Sequence, residues 1–207
     1  KQNDVLNDVQ KIGLKYYDDI LKRIPRKEIT LYEKKMRAVL SSINFTEDIT
    51  MQIVGSYRRG LKNSGDIDVI ITSNNPKSQV FGVFLDLLKA NNIIKEFLSK
   101  GNKKSLTIGK IRGKPSRRID FLFSPQEEYS FATLYFTGSK HFNTCMRARA
   151  NALNLTLNEH GLYEYVKRKK GKKISGDFDS EEAICKYLGV KYLLPIHREN
   201  KKNFELN

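Results

Sequence analysis

Asp66 and Asp68 stand one residue apart in the run Asp66-Ile67-Asp68-Val69-Ile70-Ile71-Thr72. The run is rich in β-branched residues and is bounded by Gly65 and by Ser73-Asn74-Asn75-Pro76, which predicts a strand. A period of two puts both carboxylates on one face and Ile67, Val69 and Ile71 on the other. Two like charges that close raise each other's pKa unless a cation lies between them. A hard divalent ion with oxygen ligands meets that need, and magnesium is held by a few carboxylates together with substrate phosphates. The alternation repeats in Arg117–Phe123. Ile119, Phe121 and Phe123 form the apolar face there, leaving Arg118 and Asp120 on the other.

A lone Asp-x-Asp on a strand is common on solvated sheet edges. The segment Gly55-Ser56-Tyr57-Arg58-Arg59-Gly60 just before it adds a second function. A Gly-Ser turn opening a short helix presents backbone N–H groups to a phosphate, and Arg59 offers a bidentate donor. An anion site and a metal site on adjacent strands describe binding of a nucleoside triphosphate. Nucleotidyl transfer uses one metal at the attacking 3′-hydroxyl and another at the triphosphate, roughly 3.5–4 Å apart. Asp66 and Asp68 bridging both ions, with Asp120 on the catalytic one, would supply that arrangement.

Such residues need a sheet and helices to hold them. Residues 4–23 carry a helical rhythm (Val5, Val9, Ile12, Tyr16, Ile20) that stops at Ile24-Pro25, and a second helix follows through Leu31, Met36, Val39 and Leu40. Met51–Val54 reads as a short strand and Phe81–Lys89 as an amphipathic helix. Ile93–Ser99 and Ser105–Ile111 read as hairpin strands around Gly101-Asn102-Lys103. Beyond Pro125, Phe142–Leu153 is helical and a basic hairpin turns around Gly171. Ser180–Leu188 is a helix with Ser180 as cap and Glu181-Glu182 in its first turn. No internal repeat is present, and the low-complexity piece is Lys167–Lys173. Strands with a long helix come first and a mostly helical part follows, which predicts an α+β fold with a second subdomain from about residue 125.

The 207 residues, 39% apolar and 10% aromatic, are enough for one domain or two closely joined subdomains with a real core. No secretory signal is seen, and no apolar run approaches the roughly 20 residues that span a membrane. Cys145 and Cys185 form neither a CxxC nor a set with paired histidines, so reduced thiols in an intracellular protein are expected rather than zinc. The formal net charge of +15 favours a polyanionic partner, nucleic acid or an acidic membrane surface. Between Phe97 and Ile119 no acid occurs, whereas Lys100, Lys103, Lys104, Lys110, Arg112, Lys114, Arg117 and Arg118 all do. This strip leads into the Asp120 strand and is expected to contact phosphates, the alternative being a solvated hairpin surface.

Four segments together resemble, in the same order, the motifs of family X DNA polymerases, the group of DNA polymerases beta and lambda. They are Gly55–Gly60, Ser64-Gly65-Asp66-Ile67-Asp68-Val69, Arg117-Arg118-Ile119-Asp120 and Tyr135-Phe136-Thr137-Gly138-Ser139. Gln10–Tyr16, Lys22-Arg23-Ile24-Pro25-Arg26 and Leu188–Pro195 are similar too, so the resemblance covers nearly the whole chain. It implies a nucleotidyltransferase-fold palm, a mixed sheet with helices, over 25–124. A mostly helical nucleotide-selecting subdomain (thumb or fingers) with a small β-hairpin would occupy 125–207, and 1–24 would be a helical remnant of a DNA-binding subdomain.

The resemblance further implies a DNA-directed DNA polymerase that adds a dNTP to a primer 3′-hydroxyl with two Mg2+ ions, Mn2+ being able to substitute. The DNA would be a primer-template or a gapped duplex, and the setting short-gap filling in DNA repair, including base excision repair. A monomer with no membrane is expected, in the nucleus or, for a viral enzyme, at a cytoplasmic replication site. By motif, Asp66, Asp68 and Asp120 would be the metal ligands, and Gly55, Ser56 and Arg59, with Gly65, would hold the β- and γ-phosphates. Arg23 would also reach the triphosphate or remain surface. Arg118 would bond the primer-terminal phosphate, orient Asp120, or form a structural salt bridge. Tyr135, Phe136 and Gly138 would line the deoxyribose, although the residues alone read as core aromatics. Asn143 and Arg147, a helical turn apart, would face the nascent base pair and the template. Lys103, Lys104 and Lys110 would contact DNA.

Two departures limit the resemblance. Lys140 stands where the beta branch has an acidic residue near the incoming base, so no base contact transfers there. The chain begins, at Lys1, downstream of the family's lyase and helix-hairpin-helix regions, so no Schiff-base lysine is nominated. A template-independent terminal transferase or an RNA nucleotidyltransferase could use the same carboxylates. Tyr135-Phe136 argues against it, because the terminal transferases have Gly-Trp there. A non-catalytic DNA-binding scaffold is the third reading, and the complete carboxylate set argues against it.

Overall fold

A computed structural model describes residues 6–75, 77–166, 169–199 and 203–207; Val5, Pro76 and Lys167 of the readings above lie outside them. The chain divides into two compact units, Lys1–Ile53 with Lys62–Phe123, and Val54–Leu61 with Ser124–Asn207.

The first unit opens with helix α1 (Asp8–Lys15), whose Asn7 and Gln10 form a reciprocal capping box. The helix expected to run to residue 23 breaks at Tyr16, which leaves helical geometry, and resumes only as α2 (Tyr17–Ile20). No residue of either helix is fully buried, so little tertiary packing sustains a longer one. Ile24–Pro25 (β1) leads into α3 (Arg26–Ser41), which buries Ile29, Tyr32, Met36 and Val39 at helical spacing. Then come β2 (Ile49–Ile53), α4 (Gly55–Arg58, part of the other unit), β3 (Asn63–Ser64), β4 (Ile67–Ser73), α5 (Val80–Ala90), β5 (Ile94–Lys100), β6 (Lys104–Gly109) and β7 (Arg117–Pro125).

Five of these strands form one sheet in the order β2-β4-β7-β6-β5. The pairs β2/β4, β5/β6 and β6/β7 are antiparallel. Helix α5 covers the apolar face, with Phe81 against Phe123 and Phe84 edge-on to Phe121, ring centroids 6.2 Å apart in both pairs. The basic strip is not one surface. Arg117 is buried and grips the buried Glu28 on α3 with two hydrogen bonds of 2.7 and 3.0 Å, while its third branch donates to the Lys22 carbonyl at 3.0 Å. Lys100 pairs with Asp86 and stands over the Phe97 ring.

The second unit holds α6 (Tyr129–Thr137), α7 (Lys140–Ala152), β8 (Leu155–Asn158), β9 (Gly161–Val166), β10 (Lys169–Lys173) and α8 (Glu181–Tyr187) around a core that includes Phe131, Leu134, Phe142, Met146, Leu162, Ile184 and Leu188. Helix α6 is buried on most sides, which hides the one-sided apolar stripe that marks an amphipathic helix. Helix α8 begins as expected, with the Ser180 hydroxyl accepting from the Ala183 amide at 3.2 Å. The basic hairpin does not turn at Gly171, which sits inside β10, in the register shift between Lys170 and Lys173. A Cβ there would lie 3.0 Å from the Glu164 Cβ on β9, so the glycine marks a close approach of strands rather than a turn. Among the described residues no helix is long and apolar enough to cross a membrane.

Candidate active site

Ile67 and Val69, both almost fully buried, pin β4 into the core and leave Asp66 and Asp68 on the more open face. Ile119 and Phe121 do the same for β7, its neighbour in the sheet, and turn Asp120 to that side. One carboxylate oxygen from each of Asp66, Asp68 and Asp120 lies within 4.8 Å of the others, and all three residues are half-buried. The Asp120 Oδ1 atom is buried and has no hydrogen-bond partner. Burial pushes the Asp120 carboxyl above the usual carboxylate range, and the charge of Asp66 adds to this; Arg118 and Lys104 pull it back. Arg118 is in direct contact with Asp66, and its Nε lies 3.3 Å from Asp120 Oδ1. An oxygen-only donor set, converging and negatively charged, with one buried oxygen that accepts no hydrogen bond, suits a hard divalent ion. The three carboxylates could therefore hold a metal ion.

Two further residues are brought beside the start of β4. The β1–β3 ribbon pairs Ile24 with Ser64. Arg23, just before β1, donates to the side chain and the carbonyl of Asn63 at 2.8 and 3.0 Å. A Cβ on Gly65 would come within 3.3 Å of the Arg23 guanidinium, so the arginine lies against the turn that leads into Asp66. Lys103, Lys104 and Lys110 are exposed. Lys104 pairs with Leu122 two positions beyond the Leu106–Asp120 pair, which places it on the Asp120 face of the sheet.

In the second unit Gly55 is buried with φ of 59°, a left-handed conformation that favours glycine, and it opens α4. The Arg59 guanidinium is engaged, by the Glu199 carboxylate and by the Thr137 carbonyl at 2.5 Å. Gly138 (φ 68°) follows α6, and its bond to Ser139 is cis. Tyr135 and Phe136, on the last turn of α6, are half-buried rather than core, with their rings edge-to-face at 5.1 Å. The Asn143 side chain donates to the Tyr135 carbonyl at 2.7 Å. Tyr135, Asn143, Met146 and Arg147 line one small cavity.

The residue types gave no warning of a buried cluster in this unit. Arg58 grips Glu181 with two bonds of 3.0 and 2.6 Å and also donates to the Thr137 hydroxyl at 2.7 Å. Arg198, fully buried over the Phe142 ring, bonds the same carboxylate at 2.7 Å. The cluster fixes α4 against α6 and α8, and so positions the Gly55–Arg59 turn. Glu181 reads in sequence as a first-turn acid complementing the helix dipole, and nothing in the local sequence marks Arg198.

Residues 23–126 match the family described as DNA polymerase beta palm, and residues 132–199 the one described as DNA polymerase beta thumb. The chain is 35% identical to DNA polymerase lambda of Rattus norvegicus over 92% of its own length and 35% of that protein's. For DNA polymerase lambda of Arabidopsis thaliana the identity is 30%, covering 96% of this chain and 40% of the relative. For DNA nucleotidylexotransferase of Xenopus laevis it is 27%, covering 93% and 44%. The chain thus spans between about a third and a little under half of these relatives. With both families matched in succession, the chain belongs to the family X DNA polymerases.

Proposed function

We propose that this chain is the catalytic core of a DNA-directed DNA polymerase that adds dNTPs to a primer 3′-hydroxyl in short gaps of DNA under repair. The observation that carries the reading is the convergence of Asp66, Asp68 and Asp120, with a buried Asp120 oxygen that accepts no hydrogen bond, in a family X chain. Asp66 and Asp68 would hold two Mg2+ ions, and Asp120 the one at the primer. Bound there, the ions supply charge neutralisation at the triphosphate and a lowered pKa for the 3′-hydroxyl. Asp120, beside the primer ion, is the candidate acceptor of that hydroxyl's proton. Arg118 holds Asp66 and Asp120 in place and lends its charge to the primer-terminal phosphate. Ser56, Gly55 and Gly65 take the triphosphate oxygens, with Arg23 beside Gly65. Arg59 joins them by exchanging Glu199, a half-exposed partner, for phosphate. Tyr135, Phe136 and Gly138 line the sugar; Asn143 and Arg147 face the base pair and the template.

Residues 25–124 act as the palm and 125–207 as the nucleotide-selecting subdomain, in a monomeric intracellular enzyme. The test is extension of a one-nucleotide gapped duplex with deoxy- and ribonucleotides. Template-directed use of dNTPs, relaxed when Tyr135-Phe136 is replaced by Gly-Trp, is the expected result; equal use of ribonucleotides by wild type would remove the sugar wall. The 27% identity to a nucleotidylexotransferase favours one second reading, template-independent addition. Equal extension of a lone single strand would establish it.

Lys103 and Lys110 are proposed DNA contacts. Replacing both by Gln should lower the slope of log K against log salt for duplex DNA by about 1.8. Lys104 is left out because it faces Asp120. An unaltered slope would place the DNA path elsewhere.

A further inference from the structure

The three-stranded sheet of the second unit has one face against the core, where Leu157 and Leu162, directly paired, are both buried. Alternation puts Tyr163 and Tyr165 on the opposite, solvent face. Strand β10 forms the edge, and each of its five residues, four of them lysines, is exposed. Lys170 pairs with Tyr165 across the strands, so the two share the solvent face, and its ammonium lies 3.5 Å from the centroid of the Tyr163 ring. Lys173 is committed elsewhere, with its head 3.8 Å from Glu128. Among the described residues no carboxylate pairs with Lys169, Lys170 or Lys172. A lysine or two on an edge strand guards against strand-to-strand association. That purpose does not call for Lys170 to share one face with two tyrosines.

Resting on the polymerase reading for the identity of its polyanion, we propose that the paired strands β9 and β10 form a second nucleic-acid contact, one that takes single-stranded DNA such as an unpaired template overhang. Lys169, Lys170 and Lys172 supply phosphate contacts, and Tyr163 and Tyr165 a stacking platform. Two residues apart on a strand, the rings are spaced by about 7 Å, a step that an unstacked single strand can match. Every base has a face to stack, so the surface is tolerant of sequence. None of these residues takes part in the chemistry proposed above.

Binding is measured by fluorescence anisotropy of the whole chain on a sixteen-nucleotide dT strand and on a duplex of equal length, across a range of salt. Replacing Lys169, Lys170 and Lys172 together by Gln should lower the single-strand slope of log K against log salt by about 2.1. Between 200 and 50 mM salt, wild type should then gain roughly eighteenfold more affinity than the variant. The same three positions changed to Arg should keep the wild-type slope. Tyr165→Ala should weaken the single strand about tenfold without changing the slope. The duplex slope should not move in any of these variants. An unchanged single-strand slope in the Gln variant overturns the proposal. Equal slope changes on strand and duplex, with no effect of Tyr165→Ala, overturn it in favour of a plain duplex contact. Loss of binding to vesicles containing phosphatidylserine, with DNA binding intact, overturns it in favour of a membrane surface. The readout is binding alone, so failure of the polymerase reading, seen as absent extension with this binding intact, is distinguishable from failure here.

Discussion

Asp120→Ala is expected to abolish primer extension while leaving metal-dependent dNTP binding largely intact. In the proposed site Asp66 and Asp68 serve both ions, but Asp120 serves only the one at the primer and is also the candidate proton acceptor. Its buried carboxylate oxygen, which accepts no hydrogen bond, belongs to that role. The loss should reach on the order of 10^3-fold or more in single-turnover rate, since an activated nucleophile contributes several kcal/mol. Asp120→Asn separates charge from shape; it keeps the volume and should be almost as inactive. Single-turnover incorporation within about tenfold of wild type would remove Asp120 from the mechanism.

The largest effect on stability is expected at Glu181. Its carboxylate is buried, and both Arg58 and the fully buried Arg198 depend on it. Removing one member of a buried ion cluster leaves the others charged and desolvated. Glu181→Ala should therefore cost about 3–5 kcal/mol, read as a lower urea midpoint at pH 7 with an unchanged slope. Burial alone would raise the Glu181 carboxyl, but hydrogen bonds from Arg58 and pairing with Arg198 outweigh it and hold the group below the ordinary value of 4.5. A depressed folded pKa means that the unfolded chain binds the proton more tightly. The stability contributed by Glu181 is thus fully present above about pH 4.5 and is lost as pH falls through the folded value. Glu181→Gln should be less stable than wild type at pH 7 and should lose less on acidification across that window. Parallel pH profiles for the two proteins would show that the carboxylate is not held as the geometry implies.

The contrast between Asp120 and Glu181 shows where local sequence information ends. The facing of Asp66, Asp68 and Asp120 follows from strand alternation, because each apolar partner (Ile67, Val69, Ile119, Phe121) has to be buried and its neighbours then point the other way. The same local physics determines α5, which must lay its phenylalanines on that sheet, and the start of α8, whose orphan amides need the Ser180 hydroxyl. Tertiary structure alone decided the fate of charges that look alike in sequence. Arg117 and Arg118 are adjacent and both follow a basic strip, yet one is buried on Glu28 and the other reaches Asp66. Arg58 and Arg59 likewise find separate acids, Glu181 and Glu199, more than a hundred residues away. A side chain's face is set by its own element, within a few residues. Its partner is set by which surfaces the folded chain brings together, and desolvation then makes that partner decisive. The break at Tyr16 and the place of Gly171 inside β10 have the same origin. The first reflects a helix with little to bury against, and the second a glycine required where another strand's Glu164 comes close.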